Sequence, residues 1–182
     1  FKMGLCSSEL GQPEDARRWF ESALALAPNA VEARLALVDL DLAQGDLGAA
    51  WERIGYLNDA ADIPIQVSAR LGQICYEIER FHDAVVHLGH VVEQEPDDWD
   101  AQVQLSWAMA QSGALAEATE RLEQVVQQSG VAAHYVSLGR LLALHDRTDA
   151  ALSNFHQALD LDSLVPDAHR GIADMLVARG DF

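Results

Sequence analysis

The sequence predicts an all-α fold, a solenoid built from paired antiparallel helices, and three observations predict it. The composition suits helices: 49% of the 182 residues are apolar, 7% are aromatic and only 5 are Pro. No stretch alternates apolar and polar residues for long enough to suggest a strand. Most telling is that the chain repeats itself at intervals of about 34 residues.

Laid beneath itself from Val31, the chain falls into columns. Ala16, Ala50, Ala84, Ala118 and Ala151 share one. Phe20, Ile54, Leu88, Leu122 and Phe155 follow as a large column, then Ala23, Leu57, Val91, Val125 and Ala158. In the first half of each unit Met3, Leu37, Leu71, Leu105, Leu138 and Ile172 align. A smaller residue comes next: Gly4, Val38, Gly72, Ser106, Gly139 and Ala173. Spacings of three and four put each set on one helical face.

In chain order, the pattern predicts a partial first helix through Leu10 and its partner from Pro13 to Leu26. Four complete helix pairs follow, in units 31–64, 65–98, 99–131 and 132–165. A lone helix from Pro166 to Arg179 opens the last, partial unit. Eleven helices in all should form one array over 1–182. Between the halves of each unit sits a turn, with Gly11, Gly45, Gly113 and Gly180 at the place where a helix stops in the left-handed conformation. Glu79 and Asp146 hold that place in the other two copies, and Asp tolerates it better than Glu. The Pro or Asp that often follows suits the start of the next helix.

This pattern resembles the tetratricopeptide repeat family over essentially the whole chain. It includes the small–large–small signature of the second helix, as in "DAALSNFHQAL" at Asp149–Leu159. Pro28 and Pro96 lie just past second helices, where the family often has Pro, while Asp62, Gly130 and Ser163 depart from it. Tyr135 is the one clear aromatic early in a first helix. The resemblance implies a right-handed α-solenoid with first helices on the concave side, and it suggests a bacterial source. The chain begins with Phe1 and stops within a turn signal, which suggests a fragment of a larger repeat protein.

The final residues, "ARGDF", contain the tripeptide Arg179-Gly180-Asp181 that adhesion receptors read. They also stand where "AQGDL" stands around Gly45, so they are the sixth copy of the inter-helix turn rather than an attachment signal.

With 12 basic against 29 acidic residues, the formal charge is −17. That disfavours phosphate neutralisation and docking on an anionic membrane. No apolar run approaches the roughly 20 residues that span a bilayer. Neither nucleic acid nor direct membrane insertion is therefore expected, and a protein or peptide partner should be net basic. Two cysteines, Cys6 and Cys75, are too few for a disulfide framework and about four helix spacings apart, beyond the reach of one bond. They favour a reducing compartment such as the cytoplasm, with a bacterial envelope as the alternative.

Residues spent on packing cannot also hold a partner, so the free face of the first helices is the candidate site. Helical spacing places Glu32, Leu35, Asp39 and Leu42 on it, then Gln66, Arg70, Gln73, Tyr76 and Glu77. Asp100, Val103, Gln104, Trp107 and Gln111 follow, then Val136, Ser137, Arg140, Asp167, Arg170 and Asp174. The contacts expected to matter most are Asp39, Arg70, Gln73, Tyr76, Gln104, Trp107, Arg140 and Asp174. Trp107 stands out because Leu105 and Met109 beside it already fill packing columns, and aromatics on such surfaces make good anchors. Trp19, Trp51 and Trp99 are instead placed for packing between units. Related repeats that grip chaperone tails carry Lys, Asn and Arg at set places, which here hold Leu35, Asp39, Ala69 and Gln73. A dicarboxylate tail is thus disfavoured.

No phosphate loop, nucleophile elbow or His-Glu-x-x-His motif occurs in the sequence. Asp83, His87 and His90 share a face of one second helix, and read as a solvated polar stripe rather than a metal site. Cys75 falls in a packing column and reads as a small hydrophobe. With no acid–base pair and no cofactor or metal motif, the reading is a non-catalytic interaction scaffold that binds a peptide, helix or domain in its groove. The rivals are an accessory region of a larger enzyme, such as a glycosyltransferase or sulfotransferase, and a self-assembling solenoid. The last helix adds an expectation of its own: Ile172, Ala173 and Leu176, with Phe182 nearby, should leave an apolar stripe that drives end-to-end association.

Overall fold

The structure, a computed structural model, describes residues 1–58 and 63–180. Asp62, Asp181 and Phe182 lie outside the described residues, so the turn at Arg179 is seen only as far as Gly180. Among the described residues there are eleven α-helices, one 3₁₀ turn and no strand. The chain divides into two compact units, Phe1–His87 and Leu88–Phe182.

The first unit holds α1 (Lys2–Glu9), α2 (Pro13–Leu26), α3 (Val31–Ala43), α4 (Leu47–Ile54), the 3₁₀ turn Gly55–Leu57 and α5 (Ile65–Glu77). Helix α6 (Phe81–Gln94) carries the division between the two. The second unit continues with α7 (Trp99–Gln111), α8 (Leu115–Ser129), α9 (Ala132–Leu144), α10 (Thr148–Leu161) and α11 (Pro166–Arg179). Successive helices pack on one another from α1 to α5 and from α7 to α11. First helices also meet the next first helix: α3 touches α5, and α9 touches both α7 and α11.

The repeat columns supply most of the core, although Met3 is exposed and Ala23 and Leu57 are half-buried. All five column alanines, from Ala16 to Ala151, are fully buried, as are Phe20, Ile54, Leu88, Leu122 and Phe155. Small residues sit opposite large ones because no room remains. A Cβ on Gly4 would lie 2.5 Å from the Phe20 ring, and one on Gly139 would lie 2.7 Å from Phe155. Ala173 breaks this column by being exposed, and Ile172 is only half-buried, packed against the second unit's core.

Each described inter-helix turn closes the same way. The residue after the turn position donates its N–H back five residues: Gln12 to Ser7, Asp46 to Asp41, Arg80 to Cys75, Ala114 to Met109 and Arg147 to Leu142, all at 2.7–3.0 Å. That bond requires a left-handed residue between the helices. Gly11, Gly45 and Gly113 supply it at φ +69°, +74° and +102°, and Gly180 adopts φ +76°. Glu79 and Asp146 adopt it too, at +62° and +56°, against their intrinsic preference. Replacing Glu79 by glycine should therefore stabilise the first unit by about 1 kcal/mol. Urea unfolding measures this, and no gain would mean that the Glu79 turn relaxes in solution.

Helix α4 differs from its counterparts, with 8 residues where α2, α6 and α10 have 14. At its end the Trp51 ring folds over Gly55, where an added Cβ would meet it at 2.5 Å, and Gly55–Leu57 form the 3₁₀ turn.

Candidate functional site

In the first unit, Asp39 on α3 and Arg70 on α5 form a bidentate ion pair across adjacent first helices, the Arg70 Nη2 to Asp39 Oδ2 arm measuring 3.3 Å. Both side chains are well exposed, and such a pair contributes under about 1 kcal/mol. Tyr76 is half-buried and set edge-on to Phe81 of α6, ring centroids 5.6 Å apart. Gln73 is exposed. Leu35 and Leu42, which helical spacing assigned to the free face, are half-buried against the core formed by Val38, Ala50, Ile54 and Val67.

In the second unit, Trp107 of α7 is half-buried against the core, and the Arg140 guanidinium of α9 lies over its ring at 5.3 Å. Gln104 and Gln111, one turn to either side of Trp107, are exposed, as are Arg140 and Asp174. Val136 departs from its expected place. It is 5% exposed and belongs to the core, because α9 has packed neighbours on more of its circumference than an end helix has. Asp100 has one carboxylate oxygen on His134 Nε2 at 3.1 Å while its side chain stays 87% exposed.

Three buried polar clusters join neighbouring helices, and two of them, at Asp41 and His134, stand in apolar columns. Asp41 occupies the column of Cys75, Met109 and Leu142, and its side chain is 1% exposed. It accepts hydrogen bonds from Arg17 of α2 at 2.7 Å and from Arg53 of α4, joining three helices. Arg17 also donates to Gln44 at 2.9 Å. His134 occupies the column of Ala33, Val67, Ala101 and Ala168. Its Nδ1 lies 2.8 Å from Ser129 Oγ and its Nε2 lies 3.1 Å from Asp100 Oδ1, so it ties α9 to the end of α8 and to α7. In the neutral imidazole, with the carboxylate accepting, Nε2 carries the proton and the serine hydroxyl donates to Nδ1. A polar residue in an otherwise apolar column was the available signal, since a buried polar group needs partners.

The third cluster corrects an expectation. His87 is not part of a solvated stripe: it is 4% exposed, with Nε2 at 3.1 Å from Asn58 Oδ1. The Cys75 thiol donates to the same oxygen at 3.6 Å. Asn58 follows the 3₁₀ turn, so the shortening of α4 is what delivers this acceptor to α5 and α6. Asp83 is instead held by Arg80 at 2.6 Å. Burial, with Asp83 adding to it and Arg80 opposing, pushes the Cys75 thiol up to about 11, so it stays protonated and suits the packing role expected of it.

The tryptophans divide. Trp51 is half-buried beneath the Arg80 guanidinium at 4.8 Å, and Trp99 packs on the second unit's core. Trp19 is 40% exposed, which places it outside the packing role expected for it. A cavity of about 200 Å³ also opens in the first unit, walled by Leu35, Ile54, Tyr56, Leu57 and Val67. Arg34 lines it and lies over Tyr56 at 5.7 Å while donating to the Pro28 carbonyl at 2.7 Å.

Repeated helix pairs, identical turn closures and free first-helix faces define a helical repeat protein. Tetratricopeptide repeat models match residues 8–61 and 78–143, and a second such model matches 136–182. The chain belongs to the tetratricopeptide repeat family. Among solved structures it is similar to YrrB, described as a tetratricopeptide repeat protein with an unusual peptide-binding site, at 21% identity and TM-score 0.75. That likeness covers 93% of this chain and 88% of YrrB. TTC0263 of Thermus thermophilus matches at 21% identity and TM-score 0.72, over 97% of this chain and 96% of its own. MamA matches at 22% and 0.75, over 88% and 94%. These likenesses show the shared all-α solenoid fold. No curated protein matches the chain.

Proposed function

We propose that the chain is a non-catalytic scaffold that holds a peptide, helix or folded domain of another protein on its first-helix faces. The observation that carries this reading is Trp107, a large aromatic supported from beneath by the core yet left open on the face where α7 and α9 run side by side. An aromatic so placed presents area to a partner at little entropic cost. Asp39, Arg70, Gln73 and Tyr76 serve the first unit's face in the same way, and Gln104, Arg140 and Asp174 serve the second's. The net charge of −17 favours a partner that is basic overall, drawn in by long-range attraction that salt screens.

Trp107→Ala should weaken the partner captured by the intact protein by about 2 kcal/mol or more. Titration calorimetry measures that loss, and far-UV circular dichroism should show the helices retained. If helicity collapses while affinity per folded molecule is unchanged, Trp107 is a packing residue and the reading fails.

Self-association has narrower support than the sequence suggested. Ile172 is turned into the core, which leaves Leu176, 37% exposed, and Val177, 60% exposed, as the apolar patch of α11. Association through it should be abolished in a Leu176→Lys, Val177→Glu variant. Sedimentation showing the unaltered chain to be monomeric at high concentration would remove this reading.

A further inference from the structure

The cavity of about 200 Å³ in the first unit has no part in the scaffold reading. It lies where α3 and α5 begin and α4 stops, the end of the unit opposite the Gly45 turn. Leu35, Ile54, Leu57 and Val67 wall it, and two further lining residues reach solvent, Tyr56 at 66% exposure and Val31 at 37%. In α8 and α10 the third packing column is closed by buried Val125 and Ala158. Leu57, in the same column, sits in the 3₁₀ turn after α4 and is only half-buried.

The chain's own repeats indicate what fits such a space. Arg34 holds the fourth place of its unit, and Tyr135 holds that place in the unit from Ala132. Tyr135 packs against the second unit's core. Arg34 instead donates to the Pro28 and Arg53 carbonyls, at 2.7 and 3.4 Å, and the cavity stands beside it. An apolar cavity of roughly 150 Å³ accepts benzene, whereas sites for drug-sized molecules start near roughly 300 Å³. A volume of about 200 Å³ therefore suits one ring. Charge narrows the choice further. Arg34 is the one charged residue in the described lining, and its described hydrogen bonds go to carbonyls, which do not neutralise it. A cation in the wall attracts the electron-rich face of a ring and repels a lysine or arginine occupant.

We propose that this cavity receives a single aromatic side chain, Phe or Tyr, of a partner protein. The exposed parts of Tyr56 and Val31 give the adjoining residues of that partner an apolar rim to rest on. The net charge of −17 favours basic residues among those neighbours. The site goes beyond the scaffold reading, since it uses neither Trp107 nor any other contact assigned to the first-helix faces.

Methyl NMR of the intact chain tests this with two probes. One is p-cresol, the analogue of a tyrosine side chain; the other is 4-methylcyclohexanol, of similar size but without the π-system. The cresol should shift the Leu57 and Val67 methyls saturably and leave those of Val125 and Val126 unmoved. It should bind about threefold or more tighter than the saturated probe. Leu57→Phe should fill the space and abolish the shifts. Arg34→Tyr, copying the place of Tyr135, is the second filling variant should the first not fold. A random peptide library selected on the chain should yield peptides that carry Phe or Tyr among basic residues and lose binding in the filled variant. Absence of a saturable shift, equal binding of the two probes, or shifts that persist in a folded filled variant would overturn the proposal. So would cresol binding with no cavity-dependent peptide, which would make the site one for free aromatic molecules. Each of these failures leaves the scaffold reading standing, because that reading is tested at Trp107 in the other unit.

Discussion

Phe155→Ala should destabilise the second unit by about 3–5 kcal/mol, the range for deleting a fully buried aromatic. Phe155 of α10 is 1% exposed and fills the space between α9 and α11. Two glycines mark its outline: a Cβ on Gly139 would approach its ring to 2.7 Å, and one on Gly171 to 2.5 Å. The ring, in other words, occupies the volume that ordinary side chains would claim on both first helices. Gly139→Leu should consequently be destabilising in the unaltered protein, although leucine is the better helix former. In the Phe155→Ala background the same leucine has a void to enter, and its cost should fall. Urea unfolding of the two single variants and the double variant gives the coupling, expected to exceed about 1 kcal/mol. Additive effects would show that the ring and the glycine do not share one space.

The second large effect concerns charge rather than volume. Asp41→Ala should cost the first unit about 3 kcal/mol, toward the lower end for removing one partner of a buried ion pair. The carboxylate is buried, while Arg17 and Arg53 retain side-chain exposures of 20% and 24%, so water offsets part of the loss. What remains after the substitution is two guanidinium groups facing each other across α3 without the anion between them. Replacing all three, with Asp41→Leu, Arg17→Met and Arg53→Met together, should recover much of the stability, because apolar groups of similar volume carry no desolvation cost. Thermal unfolding of the single and triple variants checks both statements. A triple variant no better than Asp41→Ala would show that the cluster is worth more than the charges it neutralises.

These two sites differ in how far they can be read from the chain alone. Phe155 and Gly139 fall in columns that repeat about every 34 residues. Asp41 falls in a column too, but its partners come from α2 and α4, at separations of 24 and 12 residues. Nothing in the local pattern of α3 names them. The same holds for His134, whose partners lie 5 and 34 residues away, and for His87, whose partner Asn58 lies 29 residues away. For Asp41 and His134 the apolar column says that the residue faces inward but not what waits there. For His87, aligned with Arg53, Arg121 and Asn154, periodicity does not even give the burial.

Helix content, pairing, the turn positions and the identity of the packed faces were set by short-range chemistry and therefore legible in the amino-acid order. A repeat buries the same positions in every copy, and a turn that needs φ above zero selects glycine in most of them. The bounds of α2 and α11 came out as the pattern placed them. The shortening of α4, the burial of His87 and Val136, and the half-burial of Ile172 depended on which side chains meet across helices. So did the choice Arg140 makes between Trp107 and Asp174. Spacing puts all three residues on one face, but whether a guanidinium lies over an indole or pairs with a carboxylate is settled by distances between helices. Those distances exist only once the neighbouring repeats have packed.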